Sequence, residues 1–391
     1  MMNNPLGSLA AASRGVQRAA VVAVLRDEQV SRSALISRLG VSSSLVTRLV
    51  RGLIDESVIE EVGAATAGLG RPRVKLGVRA GYGHLVAVSC EGARLRAAVY
   101  DLHGAETRVN VSACSDQALS IATVIKSIEA VQADAGLAGG HLMGIGISVP
   151  GVVDAHTGAV SEAPDLGWRD VMPLGSALAE RYKVPVTVDN DVNLMVSAER
   201  ERGGAVGVDD VVYLYLGRNG VGAGVVSDGR LLQGGHGAAG EVGLIPLAVS
   251  RMGHSGHTGD GANGSHLEGT ICAAAIARAL ERDGLDAAPA PIPALIRWAD
   301  LGYKHAREIR NDVLDTLAHA ILILSAVLDP TVVLVGGAAR DLSDVDLKEM
   351  TARLASQSPA PPALAFAHLD SDAVLHSAQT RCWRRVLAGG I

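Results

Sequence analysis

The stretch Val186-Thr187-Val188-Asp189-Asn190-Asp191-Val192-Asn193 constrains the fold of this chain more than any other. A β-branched run predicts a strand, and it stops in a polar turn with two aspartates and two asparagines. Carboxylates and amides at the C-terminal end of a strand mark the ligand edge of an open α/β sheet. Gly-rich segments lie on both sides, Gly144-Ile145-Gly146-Ile147-Ser148-Val149-Pro150-Gly151 before it and Gly220-Val221-Gly222-Ala223-Gly224 after it. With 391 residues, two or three domains with a sizeable core can form. Aromatics make up 3 %, so that core must be built from Val, Leu, Ile and Ala.

Charge is uneven. Residues 1–75 hold ten Arg or Lys and six Asp or Glu, a net +4, which leaves −10 on the remainder of a chain whose net charge is −6. A basic head on an acidic body predicts that only the head meets a polyanion; a solvated helix face is the alternative. The four cysteines (Cys90, Cys114, Cys272, Cys382) lack metal-ligand spacing and suit a reducing cytoplasm. The apolar run Ala19 to Leu25 is short and leads into Arg26-Asp27-Glu28, which predicts no secretory signal. The run from Ala320 is broken by Asp329-Pro330, which predicts no membrane span.

The head reads as helix, turn, helix and wing. Arg18 to Arg26 is a short apolar helix. Ser31 before Leu35, Ile36 and Leu39 predicts a capped second helix. Gly40-Val41-Ser42 supplies the turn, and Val46, Leu49, Val50, Leu53 and Ile54 form one face of a third helix, Ser43 to Asp55. Its other face carries Ser43, Ser44, Thr47, Arg48 and Arg51. In this layout the second helix of the motif enters the major groove. Arg48 and Arg51 either read guanine edges or neutralise phosphates, and the sequence leaves both open. Val58 to Val62 and the segment Gly70 to Leu76 are two short strands around a Gly/Ala/Thr loop, the wing. A helical docking domain without DNA contacts is the competing reading.

In the body, Leu85 to Cys90 and Leu95 to Asp101 predict two strands around a turn, Leu119 to Ala135 and Pro173 to Tyr182 predict helices, and Met143 to Pro150 predicts a buried strand. Asp210 to Leu216 is a strand leading to Gly217-Arg218-Asn219-Gly220. Arg307 to Leu328 is a long amphipathic helix, Thr331 to Val335 a strand before Gly336-Gly337, and Ala373 to Leu387 a closing helix.

Several motifs together resemble the ROK family of bacterial sugar kinases and sugar-responsive repressors. They are Pro150-Gly151, Ala163-Pro164-Asp165-Leu166-Gly167-Trp168, Asn190-Asp191 and Gly240-Glu241, with Ser31-Arg32-Ser33-Ala34-Leu35, Leu39-Gly40-Val41-Ser42-Ser43 and Gly70-Arg71-Pro72 in the head. Within the family the likeness is to repressors of the xylose-repressor and N-acetylglucosamine-repressor type. The resemblance implies an N-terminal winged helix-turn-helix (1–78) and a two-lobed α/β body that is actin-like, or ribonuclease H-like. Its small lobe is expected over 79–194 with the C-terminal helix 371–391, and its large lobe over 195–370. DNA contacts are then expected from Arg32, Ser42, Ser43, Ser44, Thr47, Arg48, Arg51 and Arg71, the last near the minor groove. Sugar contacts are expected from Gly151, Asn190, Asp191, Glu241 and Glu268, with the sugar between the lobes.

Departures from the family pattern choose between its branches. Kinases carry an Asp-x-Gly-Gly-Thr-Lys phosphate loop, where this chain has Ser89-Cys90-Glu91-Gly92-Ala93-Arg94. Glu91 puts a negative charge where phosphates would sit, so no ATP is expected and Asp191, the general base of the kinases, is read as a sugar ligand with no catalytic role. A carboxylate capping its own turn is the plainer alternative. The family's zinc motif is also gone: Leu244 replaces its His, and Gly259 to Glu268 contains no cysteine. No metal is expected; His254, His257 and His266 are read as a glycine-loop cluster without a ligand role, with a metal site of their own as the alternative. Loss of zinc predicts a mobile Met252–Ser265 loop. The expectation is therefore a non-enzymatic cytoplasmic repressor of carbohydrate genes, a homodimer or tetramer on a palindromic operator, away from membranes. The alternatives are a sugar kinase with an attached head and a regulator that no longer senses sugar.

Overall fold

The computed structural model describes Leu9 and residues 12–65, 73–92, 94–113, 119–137, 140–246 and 266–389. The chain forms two compact units. One comprises Met1–Val149, His156–Asp189 and Ala378–Ile391; the other comprises Pro150–Ala155 and Asn190–Ser377.

The first unit begins with α1 (Arg14–Asp27), β1 (Val30–Ser31), α2 (Arg32–Leu39), α3 (Ser43–Asp55), β2 (Ile59–Ala65) and β3 (Arg73–Val78). Serine hydroxyls cap all three helices: Ser13, Ser31 and Ser42 accept from the amides of Val16, Ala34 and Leu45. Gly40 ends α2 at φ +63°, a conformation that costs glycine least. Leu35, Leu39, Val46, Leu49, Val50 and Leu53 are buried, as are Val21, Val22 and Leu25 of α1. β1, β3 and β2 form an antiparallel sheet in that order, giving the wing expected from the sequence. The wing tip, with Gly70, Arg71 and Pro72, lies outside the described residues.

Next come β4 (His84–Glu91), β5 (Arg94–Asp101), β6 (Glu106–Ala113), α4 (Ile121–Asp134), β7 (Leu142–Val149), then β8 (Val152–Val153), which belongs to the second unit, and β9 (Val160–Ser161), α5 (Leu174–Tyr182) and β10 (Val186–Asn190). The main sheet runs β10-β7-β4-β5-β6, with β7 parallel to β4. β4 and β7 are near-continuous apolar runs because both faces of the sheet centre are covered. β6 was not anticipated: its Glu106-Thr107-Arg108 start is polar and exposed at the sheet edge and gives little apolar signal.

The second unit holds α6 (Asp191–Arg202), β11 (Val211–Leu216), β12 (Val221–Ser227), β13 (Arg230–Leu231), α7 (Leu267–Ile271), α8 (Ala273–Arg282), α9 (Pro291–Asp300), α10 (Lys304–Leu328), β14 (Val332–Gly337), α11 (Asp344–Gln357) and β15 (Ala363–Phe366). Its sheet runs β13-β12-β11-β14-β15. α10 is long and apolar enough to cross a bilayer by length and composition. Its Val313, Leu314, Leu317, Ala318, Ile321 and Leu324 belong instead to the core shared with α8, α9, β11 and β14. Gly336 and Gly337 have a packing reason. A Cβ on Gly336 would stand 2.1 Å from the Tyr213 hydroxyl, and one on Gly337 would stand 2.2 Å from the Leu216 carbonyl oxygen.

α12 (Ala373–Gly389) begins in the second unit and ends in the first. There it lies on the glycines of β7. A Cβ on Gly146 would stand 2.2 Å from the Ala378 carbonyl oxygen, and one on Gly144 would stand 2.6 Å from Cys382 Sγ. Burial at this contact pushes the Cys382 thiol up to about 12.

Candidate functional site

The polar face of α3 is presented as the helical period predicts. Ser42, Ser43, Ser44, Thr47, Arg48 and Arg51 are exposed, while Leu45, Val46, Leu49, Val50 and Leu53 are buried. The Thr47 hydroxyl donates to the Ser43 carbonyl at 2.8 Å, so its methyl and oxygen stay close to the helix surface. A capped helix N-terminus of small hydroxyl residues lets backbone amides approach a phosphate. Arg32 is half-buried at the start of α2 and donates to Glu61 of β2 at 2.9 Å, so its first partner is the wing strand. That ion pair is exposed and therefore weak.

Two residues outside the sequence reading hold α3 in place. Arg18 of α1, 7 % exposed, grips Glu56 at the C-terminal end of α3 through two hydrogen bonds of 2.5 and 2.6 Å. Hydrogen bonding to Arg18 holds the Glu56 carboxyl below its usual range and raises the Arg18 guanidinium. The partners are 38 positions apart, beyond any local pattern.

The expected sugar ligands converge on the first half of β12. Asn190 is the N-cap of α6: its Oδ1 accepts from Val192 N at 2.9 Å and Asn193 N at 3.2 Å, and its Nδ2 donates to the Gly151 carbonyl at 3.0 Å. Asp191 is therefore the first helical residue, and its Oδ1 accepts from Val192 N at 2.8 Å. Asn193 is buried in the first turn of α6. α6 sits on β12 where glycine is required: a Cβ on Gly224 would stand 2.7 Å from the Val192 carbonyl oxygen. The loop before Glu241 docks on the same strand, with Ala223 N donating to the Gly240 carbonyl at 2.8 Å. Gly240 has φ +94°, and a Cβ there would meet the Ala223 carbonyl oxygen at 1.8 Å. Glu241 is exposed beside it. Glu268, half-buried on α7, comes to the same loop, since a Cβ on Gly243 would stand 2.9 Å from Glu268 Oε2 and 2.6 Å from the Val221 carbonyl oxygen. The Gly220–Gly224 run thus carries more than a tight hairpin: it is the strand onto which α6, the Glu241 loop and the Glu268 helix are packed. An array of carboxylates, an amide and backbone carbonyls can accept and donate to the hydroxyls of a polyol.

The turn between β4 and β5 has a different build. Glu91 pairs with Arg94 at the end of the hairpin, and Gly92 has φ +56°. The buried Ser89 hydroxyl donates to Glu91 Oε1 at 2.9 Å, and the buried Arg96 guanidinium stands 3.8 Å from the same oxygen. A nucleotide phosphate needs several backbone N–H groups pointing into a glycine-rich loop. This hairpin carries a carboxylate with two internal partners. At the place expected for a zinc-binding His, Leu244 is 60 % exposed. His254 and His257 lie outside the described residues, as does all of the Met252–Ser265 loop. His266 is the residue before α7.

The ROK family profile matches residues 86–379, and the chain belongs to that family. A xylose repressor of Caldicellulosiruptor bescii is 29 % identical over 223 residues, which are 56 % of this chain and 55 % of that protein. The match thus spans about half the length of that relative. Among solved structures, a ROK-family transcriptional regulator described as a homologue of the Escherichia coli MLC protein superposes with TM-score 0.78 at 22 % identity, over 96 % of both chains. A ROK hexokinase from Thermus thermophilus superposes with TM-score 0.64 at 25 % identity, over 78 % of this chain and all of the other. The fold is therefore that of ROK regulators and kinases.

Proposed function

We propose that this chain is a sequence-specific DNA-binding transcriptional regulator, a repressor of carbohydrate genes, whose grip on a palindromic operator is set by a bound sugar or sugar derivative. The observation that carries this reading is α3: one face buries Leu45, Val46, Leu49, Val50 and Leu53 and the other presents Ser43, Ser44, Thr47, Arg48 and Arg51. Arg32, Ser42 and Arg71 complete the DNA contacts. Gly151, Asn190, Asp191, Glu241 and Glu268 hold the sugar by hydrogen bonding, without chemistry. The protein works as a cytoplasmic homodimer or tetramer, because a palindrome demands paired recognition helices. It needs neither ATP nor a metal.

The test is selection of bound genomic fragments by the full chain at physiological salt, repeated with D-xylose, D-glucose, N-acetylglucosamine and their phosphates. A palindromic motif whose affinity one sugar changes supports the reading; weak, salt-sensitive binding without sequence preference overturns it. Arg48→Ala is expected to weaken operator binding about tenfold and lower the salt slope by about one. The second reading is a sugar kinase, favoured by Asn190-Asp191 and by the hexokinase likeness. The paired Glu91 argues against it, and ATP turnover with any of these sugars would establish it. A motif indifferent to every sugar would instead leave a regulator that answers to another signal.

A further inference from the structure

We propose that α12 is the mechanical link between the DNA-binding head and the strand that delivers Asn190 and Asp191. This inference rests on the sugar-sensing reading for its purpose, though its physical content is independent of any sugar. A helix turns about 100° per residue. Ala378 and Cys382 of α12 face the glycines of β7. Arg381 therefore projects from one flank of the helix, and Gln379 and Trp383 from the other.

Each flank makes a specific contact within the first unit. On one side, Arg381 Nε stands 2.8 Å from Oδ2 of Asp189, which is 3 % exposed and immediately precedes Asn190. On the other, Gln379 Oε1 accepts from Arg26 Nη2 at 3.2 Å, and the Arg26 guanidinium lies 5.0 Å from the centroid of the Trp383 ring. Arg26 is in the last turn of α1, the helix whose Arg18 grips the end of α3. The turn between β5 and β6 secures the same junction. His103 Nε2 stands 3.1 Å from the carbonyl oxygen of Val78, where β3 ends, and Nδ1 stands 3.5 Å from that of Arg26. A displacement of β10 at Asp189 thus pulls on α12 through a buried carboxylate, and α12 pulls on α1 through Arg26. Recognition-helix placement then follows through Arg18 and Glu56. The steps are polar, an ion pair at Asp189 and a hydrogen bond at Arg26, whereas a purely apolar junction could slide.

Two readouts separate this proposal from the reading it rests on. Hydrogen exchange of the full chain without sugar tests the link directly. Arg26→Met is expected to raise exchange at least threefold in 186–193 as well as in α12, and Arg381→Met to raise it equally in α1. Lys126→Met, on the exposed face of α4, is the control and should change neither. Exchange altered only beside each substitution would overturn the link, whatever sugar does. If one sugar of the panel changes operator affinity, Arg381→Met and Arg26→Met should keep sugar binding within about threefold while the sugar-induced change in operator affinity falls at least fivefold. An unreduced response in either folded variant would overturn the link while leaving sugar sensing intact. Absence of any response in the native chain would count against sugar sensing and leave the exchange result to decide the link. Arg381→Lys, which keeps the charge, should restore most of the exchange protection.

Discussion

The turn between β4 and β5 and the junction of β10 with α6 both end a strand of the main sheet, and each carries a carboxylate, but the two are built for different ends. Glu91 is taken up by its own hairpin: Ser89 donates to it and the buried Arg96 stands beside it. At the other turn, Asn190 caps α6 and ties it to Gly151, so capping does not rest on Asp191 alone. Asp191 occupies the first helical position, where the helix dipole favours negative charge. The lesson is about division of labour. A carboxylate satisfied by short-range partners stabilises a hairpin, and one whose neighbour does the capping can serve a ligand.

The largest expected effect would break the second turn by removing the surface it is built on. Gly240→Ala puts a Cβ 1.8 Å from a carbonyl oxygen at φ +94°, and should cost roughly 4 kcal/mol in urea unfolding, together with any sugar response. A loss below about 1 kcal/mol would mean that the Glu241 loop is not anchored on β12.

The other end of the strand that carries Glu91 holds a buried histidine, His84. Burial pushes the His84 imidazole down to about 4, with His141 adding to the effect, and Gln132 Nε2 lies 2.9 Å from its ring. The folded state keeps His84 neutral while the unfolded chain protonates it below about 6.5. Stability is therefore complete above pH 6.5 and falls as pH drops towards 4, by roughly 3 kcal/mol in all. Unfolding curves at pH 7 and 4.5 should show this loss in the native chain and a smaller one in His84→Gln.

Glu91→Ala leaves the buried Arg96 and Ser89 without that partner and should cost about 1–2 kcal/mol. Asp191→Ala should cost less than about 1 kcal/mol, because Asn190 still caps α6. Its expected effect is functional: operator binding persists and the sugar response disappears. If Asp191→Ala proved the more destabilising of the two, or if a folded Asp191→Ala protein lost DNA binding, the contrast between the turns would fail.

Much of the head was legible because its signals are local. Serines three residues before the amides they cap, a glycine at a turn, and apolar residues at i, i+3, i+4 and i+7 all act within one or two helical turns. The same holds for the β10 strand and for the edges of β4, β5, β7, β11 and β14. β6 was missed because an edge strand can be polar, and α1 and α10 begin earlier than their apolar patterns suggest because exposed first turns carry no periodic signal. The candidate site was legible as motifs. What united them was not, since nothing in Gly220–Gly224 announces that α6, the Glu241 loop and Glu268 all pack there.

By itself the sequence determined the winged head, the α/β character of the body and the polar turn at Asn190-Asp191, because caps, periodicity and strand ends depend on neighbours in the chain. Only the tertiary structure decided that Glu91 is paired with Arg96, that Arg32 is engaged by the wing and that Arg18 holds the recognition helix. It also decided that α12 reaches Asp189 on one flank and Arg26 on the other. Those outcomes depend on distances between residues from 5 to 353 positions apart, which are set by how sheets and helices pack and not by any local pattern.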